Sequence, residues 1–150
     1  MRIAICSDEP YPVNDLVRTL VEARGHSVMP FGAPATGEEA PWAEVAEQAA
    51  LSVARGECDE GIFFCWSGTG ISIAANKVAG VRAALCSDPG AARAARVWNH
   101  ANVLCLSNRT LSTDMAKEIV AAWFETPPGS EGDDGVRRLE AVDRRHRKNG

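Results

Sequence analysis

The sequence predicts an α/β fold: a Rossmann-like three-layer sandwich with a five-stranded parallel sheet in the order 2-1-3-4-5, helices on both faces and a C-terminal tail helix. Two observations carry this. Short apolar, β-branched runs alternate along the chain with segments whose apolar residues recur at helical spacing. The connections between runs are helical crossovers, which join strands running in parallel. A third observation bounds the answer. At 150 residues and 45% hydrophobic, the chain suits one domain with a full core.

Arg2 to Ser7 forms the first strand, followed by a loop at Asp8-Glu9-Pro10-Tyr11-Pro12. Val13, Leu16, Val17, Leu20 and Val21 mark an amphipathic helix that stops at Gly25. His26 to Phe31 is the second strand, and Gly32 to Pro41 a surface loop rich in Gly, Pro and Ala. Trp42, Val45, Ala46, Ala49 and Val53 give the next helix, ending at Arg55-Gly56. The third strand, Gly61 to Phe64, delivers Cys65 to a small-residue loop that opens an Ile/Ala-rich helix. Val81 to Cys86 is the fourth strand. Asp88-Pro89 then starts a helix running to about Trp98, with Asp as N-cap and Pro at the first helical position. Asn102 to Leu106 is the fifth strand, and Met115, Ile119, Val120 and Trp123 mark a helix halted by Pro127-Pro128-Gly129. The α/β domain therefore covers residues 1–129. Residues 130–150 form a polar tail, helical from about Val136 to Arg147, either solvated or docked on the same domain or a partner subunit.

Composition removes several classes of function. A net charge of −4 exerts no general pull on nucleic acid. No 18-residue apolar run exists to span a membrane, and Met1 to Cys6 enters a strand pattern rather than a signal peptide. The five cysteines are odd in number and never form a Cys-x-x-Cys pair, which argues against a disulfide framework or a standard zinc site. The expectation is a reduced, cytoplasmic protein. His26, His100 and His146 are too dispersed for a metal centre. Gly68-Thr69-Gly70 lacks a third glycine and follows the wrong strand for a dinucleotide fingerprint, and no phosphate-binding Gly-x-x-x-x-Gly-Lys run is present. A response regulator would need a lysine where Ser107-Asn108-Arg109 stands. No cofactor and no metal are expected.

Chemistry concentrates at Cys65-Trp66-Ser67-Gly68-Thr69-Gly70. Glycines let backbone N–H groups approach a ligand, and a thiol beside such donors is the arrangement of a base or nucleophile next to an anion-stabilising nest. A buried Cys ending a strand before a tight turn is the plainer reading. In the predicted order, strands one and three flank a switch point, so Asp8 and Cys65 would face each other across it. Cys6, Cys86 and Cys105 also fall near strand ends and read as small buried hydrophobes.

The residues Cys65 to Lys77, Val78 to Cys86, Asp88-Pro89, Asn99 to Leu104 and Ala116 to Val120 resemble ribose-5-phosphate isomerase B and the related galactose-6-phosphate isomerase subunits. Ile3-Ala4-Ile5-Cys6-Ser7-Asp8 and Gly25-His26-Ser27-Val28 fit the same register, which runs from residue 2 to about residue 127. The resemblance implies a metal-independent aldose–ketose isomerase in which Cys65 moves a proton between neighbouring carbons. Backbone N–H groups of Gly68, Thr69 and Gly70 would hold the enediolate oxygen, where fixed donors stabilise developing charge. Ser67 keeps a hydroxyl near the carbonyl, Asp8 matches a contact to sugar hydroxyls, and Asn99 a pocket asparagine. Arg109 and Arg138 match phosphate ligands. The family also implies a homodimer or tetramer with a shared active site.

The departures bear on substrate. Glu9 stands for the family's histidine after the aspartate, Trp98 for its ring-opening histidine, and Trp66 for the glycine after the cysteine. His100 lies two residues beyond Trp98 and replaces that histidine only if its loop redirects it. Asp134 aligns with a second tail arginine. A carboxylate in place of a phosphate ligand introduces repulsion on the order of 3–4 kcal/mol at about 4–5 Å and an effective dielectric near 20. A lost charge-assisted hydrogen bond adds roughly 1.5–3 kcal/mol. Trp66 and Trp98 offer flat faces for a sugar, or serve packing. The expected function is isomerisation of a small sugar or sugar phosphate through an enediolate, with substrate choice altered from ribose 5-phosphate. The alternative is a non-catalytic sugar-binding or regulatory relative.

Overall fold

The structure, a computed structural model, describes residues 1–147. The strands are β1 (Arg2–Ser7), β2 (Ser27–Gly32), β3 (Glu60–Cys65), β4 (Ala83–Leu85) and β5 (Val103–Ser107), all parallel. The helices are α1 (Pro12–Ala23), α2 (Ala33–Thr36), α3 (Trp42–Ala54), α4 (Thr69–Ala75), α5 (Pro89–Asn99), α6 (Thr113–Glu125) and α7 (Asp133–His146). The α/β sandwich matches the expected class. Asp88 caps α5 as expected, its carboxylate accepting from the Ala91 N–H at 2.8 Å.

Side-chain alternation builds the two cores. Ile3 and Ile5, Ile62 and Phe64, and Leu104 and Leu106 project into the layer of α1, α5 and α6, against Val17, Val21, Ala95 and Ile119. Ala4 and Cys6, Phe63 and Cys65, and Val103 and Cys105 project into the layer of α3 and α4, against Val45, Ala49, Ile71 and Ala75. Both faces of these strands are covered, which is why they read as unbroken apolar runs.

The strand order is β2-β1-β3-β5-β4, not 2-1-3-4-5. Crossover handedness explains the difference. α4 and α5 lie on opposite faces of the sheet, so right-handed connections carry β3 to β4 in one direction and β4 to β5 back in the other. β5 therefore returns inside β4. Burial agrees, since Val103 to Leu106 are covered while β4 is a three-residue edge strand with Leu85 exposed. The other edge, β2, carries Pro30 opposite Ile5.

The expected surface loop after β2 contains the one-turn helix α2. Gly32 enters it at φ +64°, and a Cβ there would meet the Ser7 carbonyl oxygen at 2.5 Å, so only glycine fits. Below the sheet, Glu60 bonds Arg96 Nη2 at 2.9 Å and Trp123 Nε1 at 2.8 Å, while the Arg96 guanidinium lies 4.8 Å from the Trp123 ring centre. The tail enters a 3₁₀ turn at Ser130–Gly132 and continues as α7, which starts three residues before the expected Val136 and packs along α5. The last three residues of the predicted tail lie outside the described residues.

Candidate active site

Cys65 ends the middle strand of the sheet. From there the chain leaves toward α4 on one face, whereas β1 and β5 leave toward α1 and α6 on the other. The backbone therefore diverges on both sides of Cys65, and such divergence opens the ligand crevice of an α/β sheet. The thiol is 5% exposed, and its Sγ accepts a hydrogen bond from the Gly68 N–H at 3.2 Å. Gly68 reaches that position at φ +80°. Ser67 Oγ sits 2.7 Å from Thr69 Oγ1 and accepts from the Thr69 N–H at 3.4 Å. Gly70 passes close to the Trp42 ring, where a Cβ would stand 3.2 Å from it.

The loop is fastened to the exit of β5. The Cys65 carbonyl accepts from the Asn108 N–H at 2.9 Å, and the Trp66 carbonyl from the Arg109 N–H at 3.0 Å and Ser107 Oγ at 2.9 Å. The Arg109 guanidinium lies 5.1 Å from the Trp66 ring centre. On the other side, the register Ser7↔Phe64 brings Asp8 alongside Cys65, as expected. Asp8 Oδ1 is buried with no hydrogen-bond partner. Burial raises the Asp8 carboxyl above its usual range, with the charges of Glu9 and Glu39 adding to it. Glu9 accepts from the Tyr11 hydroxyl at 3.1 Å, and this bond raises the Tyr11 phenol.

A buried polar chain beneath the crevice joins three elements. Asn108 Nδ2 donates to Ser7 Oγ at 3.0 Å, Asn14 Nδ2 donates to Asn108 Oδ1 at 2.9 Å, and the Tyr11 N–H donates to Asn14 Oδ1 at 3.0 Å. It ties the exits of β1 and β5 to the start of α1, and a cleft of about 450 Å³ lined by Tyr11, Leu16, Asn108 and Leu111 lies beside it. Sequence reasoning did not single out Ser7, Asn14, Asn108 or Glu39. The available signal was Asn108 directly before Arg109 on a strand exit.

Trp98, Asn99 and Arg138 lie elsewhere. α5 begins beyond the C-terminal end of β4 and spans 11 residues, about 16 Å at 1.5 Å per residue, to the sheet's opposite edge. Within one chain the structure therefore separates Trp98 and Asn99 from Cys65. Asn99 instead lines a cavity of about 540 Å³ with Arg82, Leu139 and Asp143. Arg138 Nε bonds Asp134 Oδ2 at 2.7 Å, Arg137 bonds the same carboxylate, and these bonds hold Asp134 below the usual carboxylate range. His100 caps α5 at φ +45° and places Nε2 2.8 Å from the Gly129 carbonyl and 3.5 Å from Asp133 Oδ1. Its ring is engaged by the tail, and its loop does not redirect it to the Cys65 of its own chain.

The remaining cysteines, Cys6, Cys58, Cys86 and Cys105, are free and buried. Burial pushes the Cys86 thiol up to about 11 and those of Cys6 and Cys105 well up from the ordinary thiol range. Among the described residues, no three His, Cys, Asp or Glu side chains are grouped to hold a metal ion, and no helix is long and apolar enough to cross a membrane.

A thiol, hydroxyls and an unpartnered carboxylate oxygen at the divergence of an α/β sheet are the furnishings of a small-molecule enzyme. The family described as Ribose/Galactose Isomerase matches residues 3–142, and the chain belongs to that family. It is 43% identical over 129 residues to ribose-5-phosphate isomerase B of Escherichia coli (strain K12), covering 86% of this chain and 84% of that one. It is 32% identical over 143 residues to D-erythrulose-4-phosphate isomerase of Pectobacterium atrosepticum, covering 95% and 93%. The solved ribose-5-phosphate isomerase B of Clostridium thermocellum superposes with a TM-score of 0.89 at 34% identity, covering 98% of this chain and 100% of that one. Membership makes the chain an isomerase of the aldose–ketose class.

Proposed function

We propose that the chain isomerises a small sugar or sugar phosphate by proton transfer at Cys65, with substrate choice altered from ribose 5-phosphate. The observation that carries this reading is the Cys65 Sγ at the divergence of the middle strand, held by the Gly68 N–H and flanked by Asp8. The thiolate removes the proton from the carbon beside the carbonyl, and the C–H electrons pass to the carbonyl oxygen, giving an enediolate. The proton of the second hydroxyl passes to the first enediolate oxygen, by way of the Ser67 hydroxyl, and as the second oxygen becomes the carbonyl the same sulfur returns its proton to the neighbouring carbon, so atoms and charge balance without a co-reactant. In this reading the Gly70 N–H and the Ser67 hydroxyl stabilise the oxygen on which charge develops, joined by the Thr69 N–H when Ser67 turns to the substrate, while the Gly68 N–H holds the sulfur. Asp8, with one oxygen free, accepts from the sugar hydroxyls.

Trp98, Asn99 and Arg138 reach a Cys65 only from a second copy, because they lie across the sheet from their own. A homodimer or tetramer with a shared active site follows from this reading. Glu9 adds negative charge where the family places a histidine, Asp134 replaces an arginine and engages Arg138, and Trp98 removes the ring-opening histidine. These changes disfavour a five-carbon furanose phosphate relative to a shorter, open-chain or unphosphorylated sugar. A relative named for D-erythrulose 4-phosphate makes four-carbon substrates the first to assay.

Deuterium exchange from solvent into tetroses, pentoses and their phosphates tests the reaction. Exchange by the native protein, abolished in Cys65→Ala, is expected. Exchange that persists in Cys65→Ala, or none with any sugar, overturns the reading. Mixing Cys65→Ala with Asn99→Ala subunits tests the shared site, since one intact site per mixed dimer should restore activity.

A further inference from the structure

We propose that Trp66, which stands where the family has glycine, is a positioning residue that holds the guanidinium of Arg109, the arginine matched to a phosphate ligand of the family, beside the Cys65 loop. The proposal rests on the reading of Cys65 as the reaction centre. Trp66 follows the last residue of β3, and its carbonyl is pinned by the Arg109 N–H and the Ser107 hydroxyl. The two residues are thus stitched through the backbone before their side chains meet. The indole remains 56% exposed, too open to be core, yet the Arg109 guanidinium lies 5.1 Å from its ring centre. A guanidinium resting against an indole keeps its N–H donors for a ligand, in the fork geometry that suits phosphate, sulfonate or carboxylate oxygens.

Arg109 is not spent on a carboxylate. Arg137 and Arg138 both bond Asp134, and Arg96 bonds Glu60. Among the described residues Arg109 forms no salt bridge, while Asp8, just past the end of β1, lies close to Glu9 and Glu39. The Trp66 face offers the exposed guanidinium a resting place that leaves the cation available to a ligand. Oxyanion recognition by this chain's own residues then draws on a pre-oriented guanidinium, and the Asp8 and Glu9 carboxylates past the end of β1 favour a ligand of low negative charge.

The test is a double-mutant cycle on binding, measured by titration calorimetry with reduced four- and five-carbon polyol phosphates, the matching sulfonates and the unsubstituted polyols. These probes have no carbonyl, so the cycle reads the Trp66–Arg109 pair whatever the fate of the Cys65 chemistry. Absent exchange in the native protein would overturn the isomerase mechanism alone. Arg109→Ala should weaken the anionic probes about 10- to 100-fold. Trp66→Ala should weaken them about 2- to 5-fold, Trp66→Phe less, and Trp66→Ala should add nothing in the Arg109→Ala background. The preference for charged over uncharged polyols should fall in both single variants. Equal weakening of charged and uncharged probes by Trp66→Ala overturns the proposal. So does full additivity with Arg109→Ala, or failure of the native protein to bind any anionic polyol. A change of assembly state on sizing that accounts for the Trp66→Ala loss also overturns it.

Discussion

Asn108→Ala tests whether the polar chain beneath the crevice holds the site together. Asn108 is 8% exposed and spends both ends of its amide on buried partners, Ser7 Oγ at 3.0 Å and Asn14 Nδ2 at 2.9 Å. Removing the amide leaves the Asn14 donor buried without an acceptor, which costs about 1–3 kcal/mol, and loses the bond to Ser7, worth about 1 kcal/mol. Ser7 keeps its bond to the Glu9 carbonyl at 2.6 Å, so no second orphan arises there. The sum is about 2–4 kcal/mol, or a fall in Tm of roughly 5–15 °C for a domain of this size. Arg109 follows Asn108 directly and Asp8 follows Ser7, so isomerase activity should fall as both walls of the crevice loosen. Urea denaturation of Asn108→Ala, Asn14→Ala and the double variant measures the coupling. The double variant should lose about 1 kcal/mol less than the two singles added, because their shared bond is counted once. A loss below about 0.5 kcal/mol in Asn108→Ala, or strict additivity, would refute the reasoning.

Three further outcomes are expected. Glu60→Ala leaves Arg96 buried beside Trp123 without its carboxylate, and urea denaturation should show a loss of about 3–5 kcal/mol; Glu60→Gln should lose less. Asp8→Asn should raise Tm at pH 7 while lowering turnover. Burial lifts the folded Asp8 above its reference of 3.8, so its ionised form costs stability as pH rises from that reference through the raised value. Melting at pH 3 should show no such gain, and equal gains at both pH values would rule out burial as the cause. Gly68→Ala forces a side chain onto φ +80° with its Cβ 2.5 Å from Leu85 Cδ1, which should displace the N–H on Cys65 Sγ. A kcat/KM within twofold of native would show that this N–H is dispensable.

The α/β layering was legible because buried parallel strands read as apolar runs and the helices show their spacing. Strand order was not. The Ala91-Ala92-Ala95 stripe of α5 marks a buried face but says nothing about which side of the sheet it covers, and that sidedness sends β5 inside β4. The Cys65 loop was legible through its glycines and its place after a strand. Trp98, Asn99 and Arg138 were matched to a pocket that one chain does not assemble, since sequence register carries no information on which end of α5 faces which site. Ser7, Asn14 and Asn108 passed unnoticed because isolated Ser and Asn near strand exits look like turn formers. Only the fold brings residues 7 and 108 within 3.0 Å.

The sheet's two borders constrain how the molecule meets its neighbours. β2 carries Pro30, which has no N–H to give, and β4 is only three residues long. Neither border presents a run of free backbone donors and acceptors on which another strand could grow. Fibrillar stacking is thereby discouraged even in crowded solution. Contact between molecules is thereby steered toward side chains on helices and loops, a vocabulary that single substitutions can rewrite while the strands stay as they are.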